Sequence, residues 1–320
     1  MHTQGKNTRI SIWPMTGNMT PTFSVIIPNY NHGRYLNQRI SSVLNQTFQD
    51  FELILLDDAS SDDSVDILMQ FEKHPKVSSF IINRRNSGST FKQWDKGISL
   101  SRGKWIWIAE SDDYADPFFL ETMAGLIAGF PEAGLIYCDS IVVDDKGNML
   151  STKERNCSER NISEYSSEEF LSRKLPVFNP ISNASMMVFK RSLSPRGKDR
   201  MRYRKMKYCG DWLFYIILSR KASVVHIPMA LNYNRKHSNS VTKVANEQGT
   251  RFIEGIDILQ YLCKLFKDKE TLISLWMELY VNADDMINEI TRKIIRKKLL
   301  FSFTKGWICY KKISRDRKYV

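Results

Sequence analysis

The sequence predicts an α/β fold with a doubly wound, mostly parallel sheet and a helical extension at its C-terminal end. Three observations lead to this prediction. Short apolar runs alternate four times with segments of helical periodicity within about 90 residues. These runs lack the polar alternation of a half-exposed strand, as expected for parallel strands covered on both faces. From about residue 246 onward, apolar residues recur every three or four positions, which is typical of helices.

The elements of the first half follow in order. Helices are expected where apolar residues have helical spacing, first at Leu36, Ile40 and Val43, then over 65–69 and 91–101. Each helix follows a short run of aliphatic and aromatic residues, and we place the strands at 23–28, 51–58, 77–83 and 104–109.

The second half is less regular. "DDKGN" is a turn sequence, so residues 134–150 are expected to form a hairpin. We further expect strands at 184–190 and 223–228 and a helix at 210–220. The resulting organisation is a leader without regular structure at 1–20, a main domain at 21–243, and a helical, basic region at 244–320.

The net charge of +12 is concentrated at one end of the chain. Residues 291–320 contain eleven Lys and Arg and one acid, Asp316, whereas the remaining residues are nearly neutral. This distribution argues against nucleic acid as a partner. Basic residues interleaved with Leu299, Phe301 and Trp307 suit an anionic membrane surface. Two alternative roles of this basic region remain: a helix packed on the main domain, or a contact between copies in a homo-oligomer.

The five cysteines are scattered and contain no CxxC pair, which disfavours a zinc site or a disulfide framework. No apolar run approaches the ~18 residues that a spanning helix needs, and the N-terminus has no signal-peptide pattern. We therefore expect a cytoplasmic protein, peripheral on the inner face of the membrane if the basic region binds lipid.

Polar residues follow each of the four predicted strands: "PNYN", "DDAS", "NRRNSG" and "ESDD". Because the carboxyl ends of parallel strands meet at one edge, these segments predict a ligand site. Carboxylates clustered after a buried strand repel one another, so we expect a cation among them. Hard oxygen ligands favour Mg²⁺ or Mn²⁺. The alternative is a solvated helix cap before "DPFFLE", a function that Asp116 could serve by itself.

Six segments in order resemble family 2 glycosyltransferases, enzymes with the GT-A fold: "SVIIPNYNHGRYL", "QTFQDFELILLDDASSDDS", "NSGS", "GKWIWIAESDD", "GDW" and "YNRKHSNSVT". The resemblance covers roughly residues 23–242. It implies transfer of a sugar from a nucleotide-sugar, here expected to be a UDP-sugar, to an acceptor hydroxyl, with inversion and a divalent metal. Lipid-linked or other glycan acceptors and cell-surface polysaccharide synthesis would fit such an enzyme.

A nucleotide needs a stacking surface and hydrogen-bond acceptors. Tyr30 offers a ring face beside Pro28, and Asp57 and Asp58 offer acceptors. The resemblance assigns the uracil edge to Asp58. The alternative is that both acids cap the following turn. Lys92 is a candidate cation for the diphosphate, together with Arg85, Arg235 and Lys236.

The resemblance also assigns the acids after the fourth strand. "ESD" occupies the position of the family's DxD motif, with Asp112 as metal ligand and with Glu110 and Asp113 as ribose contacts or supports of the metal site. His237 aligns with a histidine that approaches the metal or the diphosphate, and the alternative is a polar surface residue.

Asp211 corresponds to the general base of the family's ED-type motif, and its alternative role is an N-cap of the following helix. Three departures from the family stand out. Glu110 replaces the first Asp of the DxD motif, Gly210 replaces a common Glu, and Trp94-Asp95 replaces a common Arg-Asn.

Two other functions on a similar fold were weighed. A nucleotidyltransferase-like enzyme is expected to have a Gly-rich loop with Arg or Lys after the first strand, and "IIPNYNHG" is not such a loop. A catalytically inactive nucleotide-sugar-binding module is disfavoured because Asp112 and Asp211 are both present.

Overall fold

The computed structural model describes residues 8–12, 20–151, 161–175, 179–237, 250–283 and 287–316. Within these ranges the strands belong to one mixed sheet. The strands are Arg9–Ile12 (β1), Phe23–Asn29 (β2), Phe51–Asp57 (β3), Val77–Ile82 (β4), Trp105–Ile108 (β5), Tyr114–Ala115 (β6), Ala133–Val143 (β7), Met149–Ser151 (β8), Ser163–Tyr165 (β9), Met187–Lys190 (β10) and Ser223–Arg235 (β11).

Helices connect the parallel strands and make up the C-terminal region. The α-helices are Gly33–Leu44 (α1), Ser64–Phe71 (α2), Thr90–Leu100 (α3), Phe119–Gly129 (α4), Ser167–Glu169 (α5), Gly197–Lys205 (α6), Gly210–Ser219 (α7), Thr250–Leu262 (α8), Lys269–Ala283 (α9), Glu289–Ser302 (α10) and Thr304–Asp316 (α11). Shorter helical turns are Phe170–Lys174, which is π-helical, and the 3₁₀ turns Ala184–Met186 and Arg191–Leu193.

The predicted parallel core is confirmed. Strand β2 pairs in parallel with β3 and β5, and β3 pairs in parallel with β4. All seven residues of β2 are buried. Because successive side chains of a strand point to opposite faces, both faces of this part of the sheet are covered. The apolar runs of the sequence are unbroken for this reason.

The second half completes the sheet with a different pairing. Strand β10 lies antiparallel between β5 and β7, and β11 runs parallel to β7. The expected hairpin is present, since β7 pairs antiparallel with β8 across the turn at Asp144. The described order across the sheet is β1-β4-β3-β2-β5-β10-β7-β11-β6, with β8 beside β7 and β9 beside β11.

One expectation for the N-terminal segment was wrong. Residues 1–20 were expected to lack regular structure, but Arg9–Ile12 pair antiparallel with β4 at the edge of the sheet. Arg9 and Ser11 both donate to the carboxylate of Glu72, which fixes this strand to the end of α2.

The C-terminal region packs on the sheet domain. Trp276 of α9 stacks on Trp212 of α7 with ring centroids 5.3 Å apart. The basic end is two helices rather than one, since α10 ends before Phe303 and α11 begins at Thr304. Ile295 and Leu299 of α10 are buried, so this helix has an inner face. None of the helices in the described ranges combines the length and the apolar character needed to cross a bilayer.

Candidate active site

A cleft of about 610 Å³ lies at the carboxyl ends of the parallel strands. From β2 the chain proceeds outward through β3 and β4, then returns to β5 on the other side of β2. Such a reversal opens a crevice at the strand ends, as the sequence predicted. The cleft is lined by Pro28, Asn29, Tyr30, Asn31, His32, Arg34, Asp58, Asn86, Gly88, Ser89, Thr90, Gln93, Glu110, Lys207, Tyr208 and His237.

The acids after β5 rest on a buried cation from the chain itself. The side chain of Arg39 is fully buried. Its Nε donates to the carbonyl of Glu110 at 2.8 Å, its Nη2 donates to Ser185 Oγ at 3.1 Å, and that Nη2 lies 3.9 Å from a carboxylate oxygen of Asp113. The expected cation among the acids therefore includes an arginine, which α1 supplies from beneath the loop.

Asp113 faces the protein interior. Its carboxylate accepts hydrogen bonds from Asn183 Nδ2 at 2.8 Å and from the backbone N–H of Arg235 at 2.9 Å. Burial, and then the charge of Asp112, raise the pKa of this carboxyl above its ordinary value. Asp113 does not line the cleft, so of its two predicted roles the geometry favours support of the loop over ribose contact.

Arg235 is engaged in the same support, contrary to its expected role at the phosphates. Its guanidinium donates to the carbonyls of Asp112, Asp144 and Asp145 at 2.8 to 3.0 Å, and to Gln38 Oε1 at 2.7 Å. It is buried over the ring of Tyr35. The neighbouring Lys236 is exposed.

Glu110 does line the cleft, and its partner explains one departure from the family pattern. The indole Nε1 of Trp94 donates to Glu110 Oε1 at 2.6 Å. Burial, and then repulsion from Asp112, raise the pKa of Glu110 to about 8. Asp95, beside Trp94, pairs with Arg200 at 2.6 Å and with Arg204 at 3.3 Å, which anchors α6.

Three potential metal ligands lie together: His32 and His237 line the cleft, and Asp112 contacts His237 without being among the lining residues. His237 Nε2 is 3.0 Å from Asp112 Oδ2, and one ligand atom from each of His32, Asp112 and His237 lies within 4.8 Å of the others. Burial alone would raise the pKa of Asp112, but its hydrogen bond with His237 and the charge of His32 together lower that pKa. Sequence reasoning paired Asp112 with His237 and missed His32, although "PNYNH" places it just after the first strand.

The two acids after β3 have different surroundings. Asp57 accepts from Asn29 Nδ2 at 2.8 Å and from Ser60 Oγ at 2.6 Å, and it does not line the cleft. This is the turn-capping arrangement weighed as the alternative. Asp58 does line the cleft, and it also accepts hydrogen bonds at 2.7 to 3.0 Å from Asn83 Nδ2, Ser87 N, Ser87 Oγ and Gln93 Nε2.

The basic residues at the cleft are not those that were expected. Lys92 donates to the carbonyl of Ser87 at 2.6 Å and is absent from the lining, as is the exposed Arg85. The described lining has Arg34 and Lys207 instead. Sequence reasoning had no signal for Lys207, because its position depends on packing between distant segments.

Glu254 of α8 holds the loop that carries Lys207. Its carboxylate accepts from the backbone N–H groups of Lys207, Tyr208 and Cys209 at 2.6, 2.9 and 2.8 Å. A carboxylate from the C-terminal region thus orders one wall of the cleft and the start of α7.

Asp211 lies in the first turn of α7, three residues after the cleft residue Tyr208. Cys209 occupies the N-cap position, so Asp211 is not the N-cap of this helix. Burial raises the pKa of Asp211 to about 6. A Cβ atom at Gly210 would lie 2.5 Å from the ring of Phe91, so a glutamate at this position would require that ring to move. Asp211 itself is not among the lining residues.

The comparisons with known proteins agree with this geometry. Residues 24–194 match the family model "Glycosyl transferase family 2". An uncharacterized glycosyltransferase of Haemophilus influenzae is 25% identical over 280 residues, covering 86% of this chain and 84% of that protein. A "GalNAc(5)-diNAcBac-PP-undecaprenol beta-1,3-glucosyltransferase" of Campylobacter jejuni is 25% identical over 255 residues, covering 78% of each chain.

The fold is likewise similar to a solved structure. The crystal structure of S. aureus TarS residues 1–349 in complex with UDP-GlcNAc superimposes with a TM-score of 0.61 at 18% identity, covering 93% of this chain and 92% of that chain. The predicted fold class, a mostly parallel sheet of the GT-A type followed by C-terminal helices, is confirmed.

The buried arginine gives a stability prediction. Arg39→Met keeps most of the side-chain length but leaves Asp113 without its buried counter-charge, so we expect the free energy of unfolding to fall by about 3–5 kcal/mol. Urea denaturation measures this free energy. The matched control is Arg173→Met, which breaks an exposed pair with Glu169 and should cost less than about 1 kcal/mol. Equal small losses in both variants would show that Arg39 does not hold the acid loop.

Proposed function

The chain belongs to glycosyl transferase family 2, and from this membership we propose that it moves a sugar from a UDP-sugar to an acceptor hydroxyl with inversion. The observation that carries the proposal is the contact of Asp112 with His237, a histidine that lines the same cleft as Tyr30 and Asp58. Such a cleft offers a metal site and a nucleotide site side by side, as transfer from a nucleotide-sugar requires.

The donor would lie along the lining residues. Tyr30 is 47% exposed at the end of β2, so a flat base can stack on its ring. Asp58 stands beside it as an acceptor whose position is fixed by its own hydrogen bonds. Lys207 and Arg34 are the lysine and arginine of the described lining, and we assign the contact with the diphosphate first to Lys207, because Arg34 already pairs with Asp145 at 3.0 Å.

A divalent cation is the cofactor in this proposal, with Asp112 and His237 as ligands and Mn²⁺ or Mg²⁺ as the ion. A carboxylate and an imidazole, paired at 3.0 Å, are a suitable donor set for Mn²⁺. When bound, the cation would offset negative charge on the leaving diphosphate. Arg39 and Arg235 hold the backbone of this loop through hydrogen bonds to the carbonyls of Glu110 and Asp112, which do not involve the cation.

The metal proposal gives a prediction on nucleotide affinity. UDP should bind roughly tenfold or more tightly with Mn²⁺ than with EDTA, because a divalent cation next to a diphosphate contributes several kcal/mol. Asp112→Ala should abolish this difference in calorimetry. The control is Asp116→Ala, four residues along the same segment, whose carboxylate accepts from the backbone N–H of Phe118 and does not belong to the ligand group. Equal UDP affinities in Mn²⁺ and in EDTA for the parent protein would rule out the metal role.

Asp211 is the proposed general base. It would accept the proton of the acceptor hydroxyl while that oxygen attacks the anomeric carbon and UDP leaves from the opposite face. A base is most effective when its pKa is near the working pH, and burial raises the pKa of Asp211 to about 6. At pH 7 the carboxylate would be largely ionised and still a stronger base than an exposed aspartate.

The base proposal predicts both a rate and a pH profile. Because only the ionised carboxylate accepts a proton, transfer should rise as pH rises through about 6. Asp211→Asn should lower the transfer rate by roughly 10²-fold and abolish this dependence on pH, with UDP affinity unchanged. UDP release from a panel of UDP-sugars, with acceptor glycans and Mn²⁺, measures it. The control is Asp268→Asn, a surface cap near α9. If Asp211→Asn transferred sugar at the parent rate, Asp211 would have only a structural role.

An acceptor linked to a membrane lipid is the third part of the proposal, and the surface of α10 and α11 supports it. Ile290 and Phe301 are 74% exposed and Ile308 is 64% exposed, and Ile294 and Leu300 are exposed as well. Exposed basic residues surround them: Lys293, Arg296, Lys297, Lys305, Lys311 and Lys312. Apolar side chains among cations suit an anionic bilayer surface, where each charge contributes about 1 kcal/mol.

Co-sedimentation with vesicles tests this surface. The triple variant Ile290→Ser, Ile294→Ser, Phe301→Ser should lose most binding to anionic liposomes at low salt. Substitution is preferable to truncation because removing α10 would also remove the buried Leu299. The control variant Met149→Ser, Leu150→Ser changes exposed apolar residues on β8 and should bind like the parent. If the full-length protein did not bind anionic liposomes, the proposed membrane contact would be refuted.

A further inference from the structure

His32 lies between the nucleotide side and the acid side of the cleft. It precedes α1 as the N-cap residue, and its ring reaches the loop after β5, where Nδ1 lies 2.8 Å from Ser111 Oγ. The ring meets that of His237 edge to face, with centroids 5.5 Å apart. Both histidines line the cleft, and Asp112 contacts one of them directly.

The distances among the three side chains fit a shared cation. One ligand atom from each lies within 4.8 Å of the others. Around an ion with bonds of about 2.1 Å, ligand atoms stand roughly 3 to 4.2 Å apart. Small side-chain adjustments would therefore bring all three into contact with one ion. His237 Nε2 already lies 3.0 Å from Asp112 Oδ2, so an ion at this position would be shared by these two atoms.

We propose that His32 is a third protein ligand of the metal, with Asp112 and His237, and that this set makes the site prefer Mn²⁺ over Mg²⁺. The inference rests on the proposed function, which supplies the metal site itself. Ser111 would accept the Nδ1 hydrogen of His32, which leaves Nε2 free for the ion and fixes the ring. Imidazole nitrogen suits transition metals, whereas Mg²⁺ favours oxygen ligands and water.

The ligand set also suits a diphosphate substrate. Two neutral imidazoles and one carboxylate would leave a divalent ion with a net positive charge. Three ligands from the protein leave about three of six coordination positions for diphosphate oxygens or water. A second carboxylate in place of His32 would cancel the remaining charge and weaken attraction for the leaving group.

Metal binding can be measured without transfer. In Mn²⁺ titrations of the full chain followed by electron paramagnetic resonance, His32→Gln should raise the dissociation constant for Mn²⁺ by at least about tenfold, the scale seen even for residues that only support a ligand. Pulsed measurements on the Mn²⁺-loaded parent should show ¹⁴N couplings from two imidazoles, and one should disappear in the variant. The control is His74→Gln, at the opposite, amino-terminal end of β4.

The conservative variant His32→Asp separates ligation from a role in folding. It should restore Mn²⁺ affinity to within a few-fold of the parent and lower the ratio of Mn²⁺ to Mg²⁺ affinity, because oxygen replaces nitrogen. Unchanged Mn²⁺ affinity and ¹⁴N couplings in His32→Gln, with loss of Mn²⁺ in Asp112→Ala, would overturn the third ligand and leave the proposed function standing. A parent protein without any ¹⁴N coupling would overturn both the third ligand and the histidine ligation in the proposed function.

Discussion

The burial of Arg39 under the acid loop is the constraint on which the rest of the site depends. An isolated buried guanidinium is costly, and this one is stabilised by the carbonyl of Glu110, the hydroxyl of Ser185 and the nearby carboxylate of Asp113. Burial lowers the pKa of Arg39 to about 10, which still leaves it charged at neutral pH. One side chain thereby joins α1, the end of β5 and the 3₁₀ turn that precedes β10.

This arrangement divides the acids after β5 between two tasks. Asp113 faces Arg39 and the backbone of Arg235, whereas Asp112 faces the histidines at the cleft. Three neighbouring acids can coexist because Arg39 offsets charge on the interior side and because burial raises the pKa of Glu110. A cation at this place was predictable from the sequence, but only a metal was expected, because an arginine 71 residues before Glu110 has no local signature. Only the folded chain brings Arg39 next to Glu110 and Asp113.

How much the sequence could predict follows from the range of each interaction. The strands β2 to β5 and the polar edge beyond them were predictable, because periodicity is a local property that burial on both faces imposes directly. The edge strand β1, the antiparallel insertion of β10, and the positions of His32 and Lys207 depend on partners far away in sequence. Lys92 shows the opposite case. Its charge made it a suitable candidate for the diphosphate, but its ammonium group donates to the carbonyl of Ser87 in the preceding loop.

The departures from the family pattern are explained by one set of contacts. Trp94 donates to Glu110, the ring of Phe91 packs edge-on against Trp94 with centroids 5.2 Å apart, and Phe91 fills the space beside Gly210. Glutamate at position 110 has one methylene more than aspartate, and this length lets its carboxyl reach the indole N–H. A longer side chain at 210 would displace Phe91.

The buried rings of Phe91 and Trp94 lie outside the cleft lining and bring no positive charge to it. Trp94 donates to Glu110 and Asp95 pairs with Arg200, so positions 94 and 95 offer no cation to the cleft. The described lining instead has Lys207, on a loop whose backbone is held by Glu254. Because α8 supplies that carboxylate and α9 stacks on Trp212, the C-terminal helices help to form the cleft as well as extending the fold. The changes at 94, 110 and 210 and the position of Lys207 are therefore coupled through packing, and no one of them can be interpreted by itself.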